Sequence, residues 1–364
     1  MRKFWRGRKV LLTGQTGFKG AWLAYWLSDM GANVSGIALA PQTEPNLYTI
    51  LELYNRGSFV TEDINNREVL KNLLSSEKPE IVIHMAAQAI VRKSYEAPIE
   101  TFSTNVLGTV SLLDAIRQSP SVHGVLIVTS DKVYENKEQV LGYHELDELG
   151  GHDPYSASKS CTELATQAMR RSFFGKDKHP AHIATVRAGN VIGGGDWSDD
   201  RLIPDIVRGC IGQKSVVRLR NPEALRPWQH VLDPLLGYLK LAELLYNNGD
   251  GFEGAWNFGP DGGETHSVRE VATSLVKALG KGKIEISNSV NTLHETSTLV
   301  LNSSKANNLL GWHPVFNFQT AIAITAQWYR ASAEGDNMED ITLSQIKLIE
   351  ENVKDELVGL GDGK

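Results

Sequence analysis

The stretch "KVLLTGQTGFKG", Lys9 to Gly20, decides the fold. Its first half is a short apolar run that reads as a strand. Its second half carries Gly14, Gly17 and Gly20. Phe18 to Met30 then reads as a helix, with Trp22, Leu23, Trp26, Leu27 and Met30 on one face. Small residues between a strand and a helix let the backbone approach a pyrophosphate, and the helix N-terminus favours the anion. Gly14, Thr16, Gly17, Phe18, Lys19 and Gly20 are therefore candidate cofactor contacts.

Outward from this unit, strand-like and helical runs alternate. "NVSGIAL", "SFVTEDI", "EIVIHMAA", "HGVLIVTS" and "HIATVRAGNVIG" read as strands two to six. Strands spaced by helical crossovers predict an α/β, Rossmann-like, doubly wound parallel sheet. After Gly193 the texture changes. "GGGDWSDDRLIPDI" and "RLRNPEALRPWQH" are rich in Gly, Pro, Asp and Arg, which predicts a smaller, mixed C-terminal substrate lobe. The expected boundaries are 1–190 for the Rossmann domain, with some later segments returning to it, and 191–335 for most of the lobe. A charged tail, 336–364, reads as helical from Leu343 to Val358. "GAWNFGP" and "LLGWHPVF" are assigned to the lobe.

The 364 residues, 41% of them hydrophobic, suffice for one large unit or two joined domains. A net charge of −6 without a basic block gives no support to a nucleic-acid partner. Cys161 and Cys210 lack ligand-like spacing, so neither a metal site nor a disulfide framework is expected, and a reduced, cytoplasmic chain is the default. The start, "MRKFWRGRKVLL", is basic then apolar, but its apolar run is too short for a signal peptide. No run approaches about 20 apolar residues, so no membrane span is expected.

The chemistry concentrates in two places. "DPYSASKS" offers Asp153 as N-cap and Pro154 at the first helical position. Tyr155 and Lys159, four apart, share one helix face. A nearby ammonium favours a phenolate, which suits Tyr155 as a base, and Lys159 can also reach a nicotinamide ribose. The fifth strand ends in Thr129-Ser130, and Ser130 offers a hydroxyl to orient a substrate alcohol. Asp131 and Lys132 follow, two charges at the mouth of a buried strand.

Together these motifs resemble the extended short-chain dehydrogenase/reductase family over about residues 8–330. Its Gly-x-x-Gly-x-x-Gly spacing is part of the likeness, which implies NAD as cofactor. Asp63-Ile64 matches an adenine-contacting position, and Ala86 and Ala87 match the loop after strand four. The acid that commonly holds the adenosine ribose is missing: "IALAPQTEP" has none before Glu44. No Arg stands there for a 2′-phosphate, so NAD is preferred to NADP.

Within the family, an acid after the Ser/Thr pair resembles nucleotide-sugar 4,6-dehydratases rather than 4-epimerases. Asp131-Lys132, "VRAGNVIGGGDWSDDRLIPD" and "LRPWQHVLDPL" resemble the branch acting on CDP-glucose. The resemblance implies that Tyr155, aided by Lys159, takes the C4 hydroxyl proton as hydride moves to NAD+. It makes Asp131 the acid for the C6 hydroxyl, which requires a protonated carboxyl. Lys132 stands where relatives carry the C5 base. An ammonium cannot accept a proton, so Lys132 needs burial or neighbouring cations to discharge it, or else stabilises the enolate. Implied substrate contacts are Asn190, Arg201, Arg226, His230 and Asn257. Arg218 and Arg220, one residue apart, share a strand face that suits the same anion. The family also implies a homodimer through a four-helix bundle of helices near Ile99–Arg117 and Tyr155–Phe174, with Leu112 and Met169 expected outward. Its product would feed deoxysugar synthesis. A 4-epimerase, a dehydratase of another nucleotide sugar, and a non-catalytic dinucleotide sensor stay open beside this reading.

Overall fold

The computed structural model describes all residues except 140, 176–177, 212–214, 220, 250, 287–298 and 360–364. Its strands, in chain order, are β1 Lys9–Thr13, β2 Asn33–Ala38, β3 Ser58–Thr61, β4 Ile81–His84, β5 Gly124–Val128 and β6 His182–Ala188. They continue as β7 Val191–Ile192, β8 Val216–Leu219, β9 Leu225–Arg226, β10 Gln229–His230, β11 Gly254–Phe258, β12 His266–Ser267 and β13 Lys283–Ile286. Seven form one sheet in the order β11-β6-β5-β4-β1-β2-β3, every pair parallel. The order reverses between β1 and β4, so the loops leaving their C-terminal ends diverge and open a crevice.

Parallel strands covered on both faces need continuous apolar runs. β4 and β5 are accordingly buried throughout, and β1 from Val10 onward. The expected first helix runs Phe18–Asp29 and is buried from Gly20 to Leu27 rather than along one stripe. The segment 47–55 and helix Leu232–Asn247 cover its other sides, and the tail closes over Trp26. It forms the helix Met338–Gly359, whose Ile346 and Ile349 are buried and whose Glu350 accepts from Trp26 Nε1 (2.9 Å) and Arg2 Nε (2.8 Å).

Three short ribbons, β7/β10, β8/β13 and β9/β12, make the irregular part of the second half. "GAWNFGP" does not belong there: it supplies β11, the edge strand of the main sheet, in register with β6. The helix Leu232–Asn247 also returns to that sheet, packing on β5 and β6.

The outward apolar face needs correcting too. Leu112 is fully buried in the chain's own core, and Met169 packs against the same cluster. A π turn at Ser103–Leu107 interrupts the helical run from Pro98 to Ile116 and shifts the phase of its apolar stripe. The exposed apolar side chains on these helices are Ile99, Leu107, Leu164 and Phe173.

Candidate active site

The glycine loop closes tightly on the loop after β4. Gly14 has φ +76°, and a Cβ there would stand 2.7 Å from Ala86 N. A Cβ on Gly20 would strike the Gly14 carbonyl oxygen. Gly17 differs: a Cβ would meet only Gly14 O, at 3.4 Å. Packing therefore does not demand Gly17, and its missing side chain leaves space before a helix N-terminus that has no side-chain cap. That cradle fits an anionic cofactor.

Beneath it, Thr13 Oγ1 accepts from Met85 N (3.1 Å) and Ala86 N (3.0 Å) and is hydrogen-bonded to His84 Nδ1 (2.7 Å). Burial, reinforced by Lys159, pushes His84 down to about 3, so it stays neutral. Thr16 Oγ1 donates to Leu39 O (2.9 Å), tying the loop to the end of β2. Phe18 packs beside Gly193. The side chains of Asp63 and Ile64 are engaged within the protein: Asp63 accepts from Asn65 N (2.8 Å), and Ile64 packs on Gly108. Ala86 and Ala87 are partly exposed along the crevice wall.

The helix Pro154–Phe173 starts as its sequence predicts. Asp153 accepts from Ser156 N (3.0 Å), and Pro154 takes the first position. Tyr155 and Lys159 are both buried and face the end of β5. Lys159 Nζ donates to Val128 O (3.1 Å). Ser130 is hydrogen-bonded to Tyr155 and donates to Asp131 Oδ1 (2.9 Å). A Cβ on Gly189 would lie 2.9 Å from Asp131 Oδ2, so that glycine leaves room for the carboxyl. Lys132 Nζ stands 3.5 Å from Asp131 Oδ1. Of the two routes offered for a discharged Lys132, burial is not found: its side chain is 35% exposed against 4% for Asp131.

Burial pushes Tyr155 up to about 12, against its hydrogen bond with Ser130; Asp131 adds to the rise and Arg201 opposes it. Lys159, expected to lower this phenol, is not among the largest influences on it, so desolvation wins in this arrangement. Lys159 itself is drawn down to about 7 by burial and Lys19, with Glu163 opposing. Lys19 is drawn down to about 8 by burial and Arg201; Asp131 opposes and Lys132 adds. The glycine-loop lysine therefore reaches the same charge cluster as the acid, a closeness its sequence position does not reveal.

Of the expected substrate contacts, two stand by this cluster. Arg201 Nη1 donates to Asp196 Oδ2 (3.0 Å) and acts electrostatically on Tyr155 and Lys19. Asn190 follows Gly189, and its buried Oδ1 has no partner among the described residues, leaving an open acceptor. Arg226 lies on the β9/β12 ribbon and donates to Leu225 O (2.7 Å). Arg218 is 73% exposed on β8, with Glu285 at 3.9 Å. Arg220 lies outside the described residues. His230 and Asn257 are interior instead. His230 has no exposed surface and meets Trp22 and Phe316 edge-on; burial pushes it down to about 3. Asn257 accepts from Tyr134 OH (2.8 Å) and donates to Tyr143 O (2.8 Å) and Asn302 O (3.2 Å), which uses up its amide.

Asn257 ends a network that residue reading did not find. Arg187 donates to both oxygens of Glu163 (2.9 and 3.0 Å) and to Tyr134 OH (2.6 Å). Thr129 and Thr185 each donate to Glu163, at 2.6 and 2.7 Å. The available sign was Glu163 itself, four residues after Lys159 on the same helix face.

A family model described as GDP-mannose 4,6 dehydratase matches residues 11–325. A CDP-glucose 4,6-dehydratase of Salmonella typhimurium is 46% identical over 340 residues, 93% of this chain and 94% of that one. Among solved structures, a UDP-glucose 4-epimerase from Thermotoga maritima with UDP-glucose superposes with a TM-score of 0.77 at 20% identity, covering 89% of this chain and 99% of that one. A dTDP-glucose 4,6-dehydratase from Bacillus anthracis in complex with NAD gives 0.75 at 23%, covering 91% and 99%. At such identities the two structures establish the fold.

Proposed function

This chain belongs to the GDP-mannose 4,6 dehydratase family, and on that premise we propose that it converts CDP-D-glucose to CDP-4-dehydro-6-deoxy-D-glucose and water, using NAD+. The observation that carries the reading is the buried acid. Asp131 is hydrogen-bonded to Ser130, which also meets Tyr155, so an acid and a base candidate face one small space. The 46% identity supports the choice of CDP-glucose.

The residues that fit the cofactor are the Gly14–Gly20 loop, Ala86, Ala87 and Lys159, with Asp63 and Ile64 at the adenine end. The chemistry that bound NAD+ supplies is storage of hydride from C4 until its return at C6. The chain's own residues handle protons. Tyr155, as the phenolate that the positive charge of bound NAD+ would favour against burial, receives the C4 hydroxyl proton, and Ser130 orients that hydroxyl. The resulting ketone acidifies C5. With the shared proton of the Asp131–Lys132 pair on Asp131, the Lys132 amine takes the C5 proton as the C6–O bond breaks. Asp131 gives a proton to the departing oxygen, which leaves as water. Lys132 then returns its proton to C5. The proton that Tyr155 gained passes back through Ser130 to Asp131, which restores both groups. The lobe of residues 191–335 binds the nucleotide through Arg201 and Arg226, with Asn190 at its entrance, where arginines suit the diphosphate.

The chain also forms a homodimer in this reading. Ile99, 86% exposed, with Leu107, Leu164 and Phe173 on two helices, supports a four-helix bundle between copies. Light scattering tests it: a monomer at micromolar concentration would remove the dimer. For the activity, the protein is incubated with CDP-glucose and NAD+. A 4-keto-6-deoxy product, absorbing near-ultraviolet light in alkali, is expected. Formation of CDP-galactose alone would make the chain a 4-epimerase.

A further inference from the structure

The helix with Tyr155 and Lys159 carries one more residue in phase, Glu163, and the three meet the end of β5 as a stripe. Lys159 holds Val128 O (3.1 Å), Glu163 holds the hydroxyl of Thr129 (2.6 Å), and Tyr155 meets Ser130. Asp131 and Lys132 follow at once. Glu163 is fixed from behind by Arg187 and Thr185 and from its side by Thr129, so all four of its contacts are made by buried groups. Burial would raise its carboxyl, but the Arg187 guanidinium and its hydrogen bonds outweigh that and hold it below its ordinary value.

We propose that Glu163 is a positioning residue. It sets the Tyr155 helix against the strand end bearing Ser130, Asp131 and Lys132, and, four residues on from Lys159 on the same helix face, it is the counter-charge that favours the Lys159 ammonium. This role rests on Tyr155 and Lys159 being the base pair of C4 oxidation. The charged or titratable groups acting on or beside Lys159 are Lys19 from the glycine-loop helix, His84 from β4 and Glu163 from its own helix. His84 is neutral and Lys19 is cationic, which leaves Glu163 as the anion among them. Arg187, across Glu163 on β6, moderates that anion.

The test is Glu163→Gln, which keeps the shape and removes the charge. An anion favours a neighbouring ammonium, so its loss lets Lys159 discharge at lower pH. NAD+ affinity, measured by calorimetry from pH 6 to 9, falls on the alkaline side; in the variant that fall starts about one pH unit lower. The alkaline limb of NADH formation in the first half-reaction moves with it. Thr185→Val is the control: it removes one neutral donor from the same carboxylate, so the melting temperature drops while the limb stays. A Glu163→Gln variant with a lower melting temperature and an unmoved limb would reduce Glu163 to a packing role and overturn the proposal. Should that variant fail to fold, Thr129→Val keeps the charge and cuts the strand-to-helix tie. It slows C4 oxidation about tenfold at unchanged NAD+ affinity; an unchanged rate overturns the proposal. Tyr155→Phe separates the levels. If it still reduces NAD+, the base-pair reading itself is wrong. If it does not, failure at Glu163 removes this inference alone.

Discussion

Two acid–base pairs flank the end of β5, and they are opposites. Glu163–Arg187 is closed: two bonds join the partners, two threonines and a tyrosine complete the set, and both side chains are nearly inaccessible. Asp131–Lys132 is open: one 3.5 Å approach, a buried acid and a lysine that still touches solvent. The residue types match, but the surroundings do not. A charge whose every lone pair and proton is committed is locked into the architecture. A charge with spare valence beside a crevice can exchange its proton with a ligand.

The largest break in this comparison comes from the open pair. Asp131→Asn and Lys132→Met each slow dehydration by about 10²–10⁴-fold while C4 oxidation, followed as NADH absorbance, continues. Product formation by Lys132→Met at the parental rate would remove the lysine from the elimination. The closed pair responds in stability. Arg187→Met leaves Glu163 buried without a counter-ion and costs about 3–5 kcal/mol, read by urea denaturation. Further out on the same network, Asn257→Ala loses the acceptor of Tyr134 and costs about 1–2 kcal/mol. Its KM for CDP-glucose stays as it was; a selective rise in KM would return Asn257 to the ligand. The smallest effect is at Arg218→Ala, exposed on β8, where kcat/KM changes by less than about twofold.

The lessons of sequence reading follow the same division. The glycine loop, the six early strands and the Asp153-Pro154-Tyr155-Lys159 start were legible because each depends on neighbours in the chain. Periodicity, cap chemistry and the need for small residues are local. The misassignments were of long-range packing. "GAWNFGP" looked like lobe because nothing in five residues says which edge they will pair with, yet β6 claims them 70 residues away. Leu112, expected outward from the family's dimer, is buried in the chain's own core beyond a π turn at Ser103–Leu107 that no apolar pattern reveals. His230 and Asn257 carry polar side chains suited to ligands, and only the fold showed that Trp22, Phe316 and Tyr134 enclose them.

The sequence by itself determined the architecture of the first half, the loop that fits a diphosphate and the types of acid and base available, since these follow from spacing along one strand or helix. Tertiary structure alone decided which of those groups are free to react. Burial holds Tyr155 and His84 neutral, Lys19 reaches the acid from the glycine loop, and Glu163 is closed off while Asp131 is left open. The physical reason is that desolvation and Coulomb interaction depend on distance in space, and that is set by how strands far apart in the chain are laid side by side.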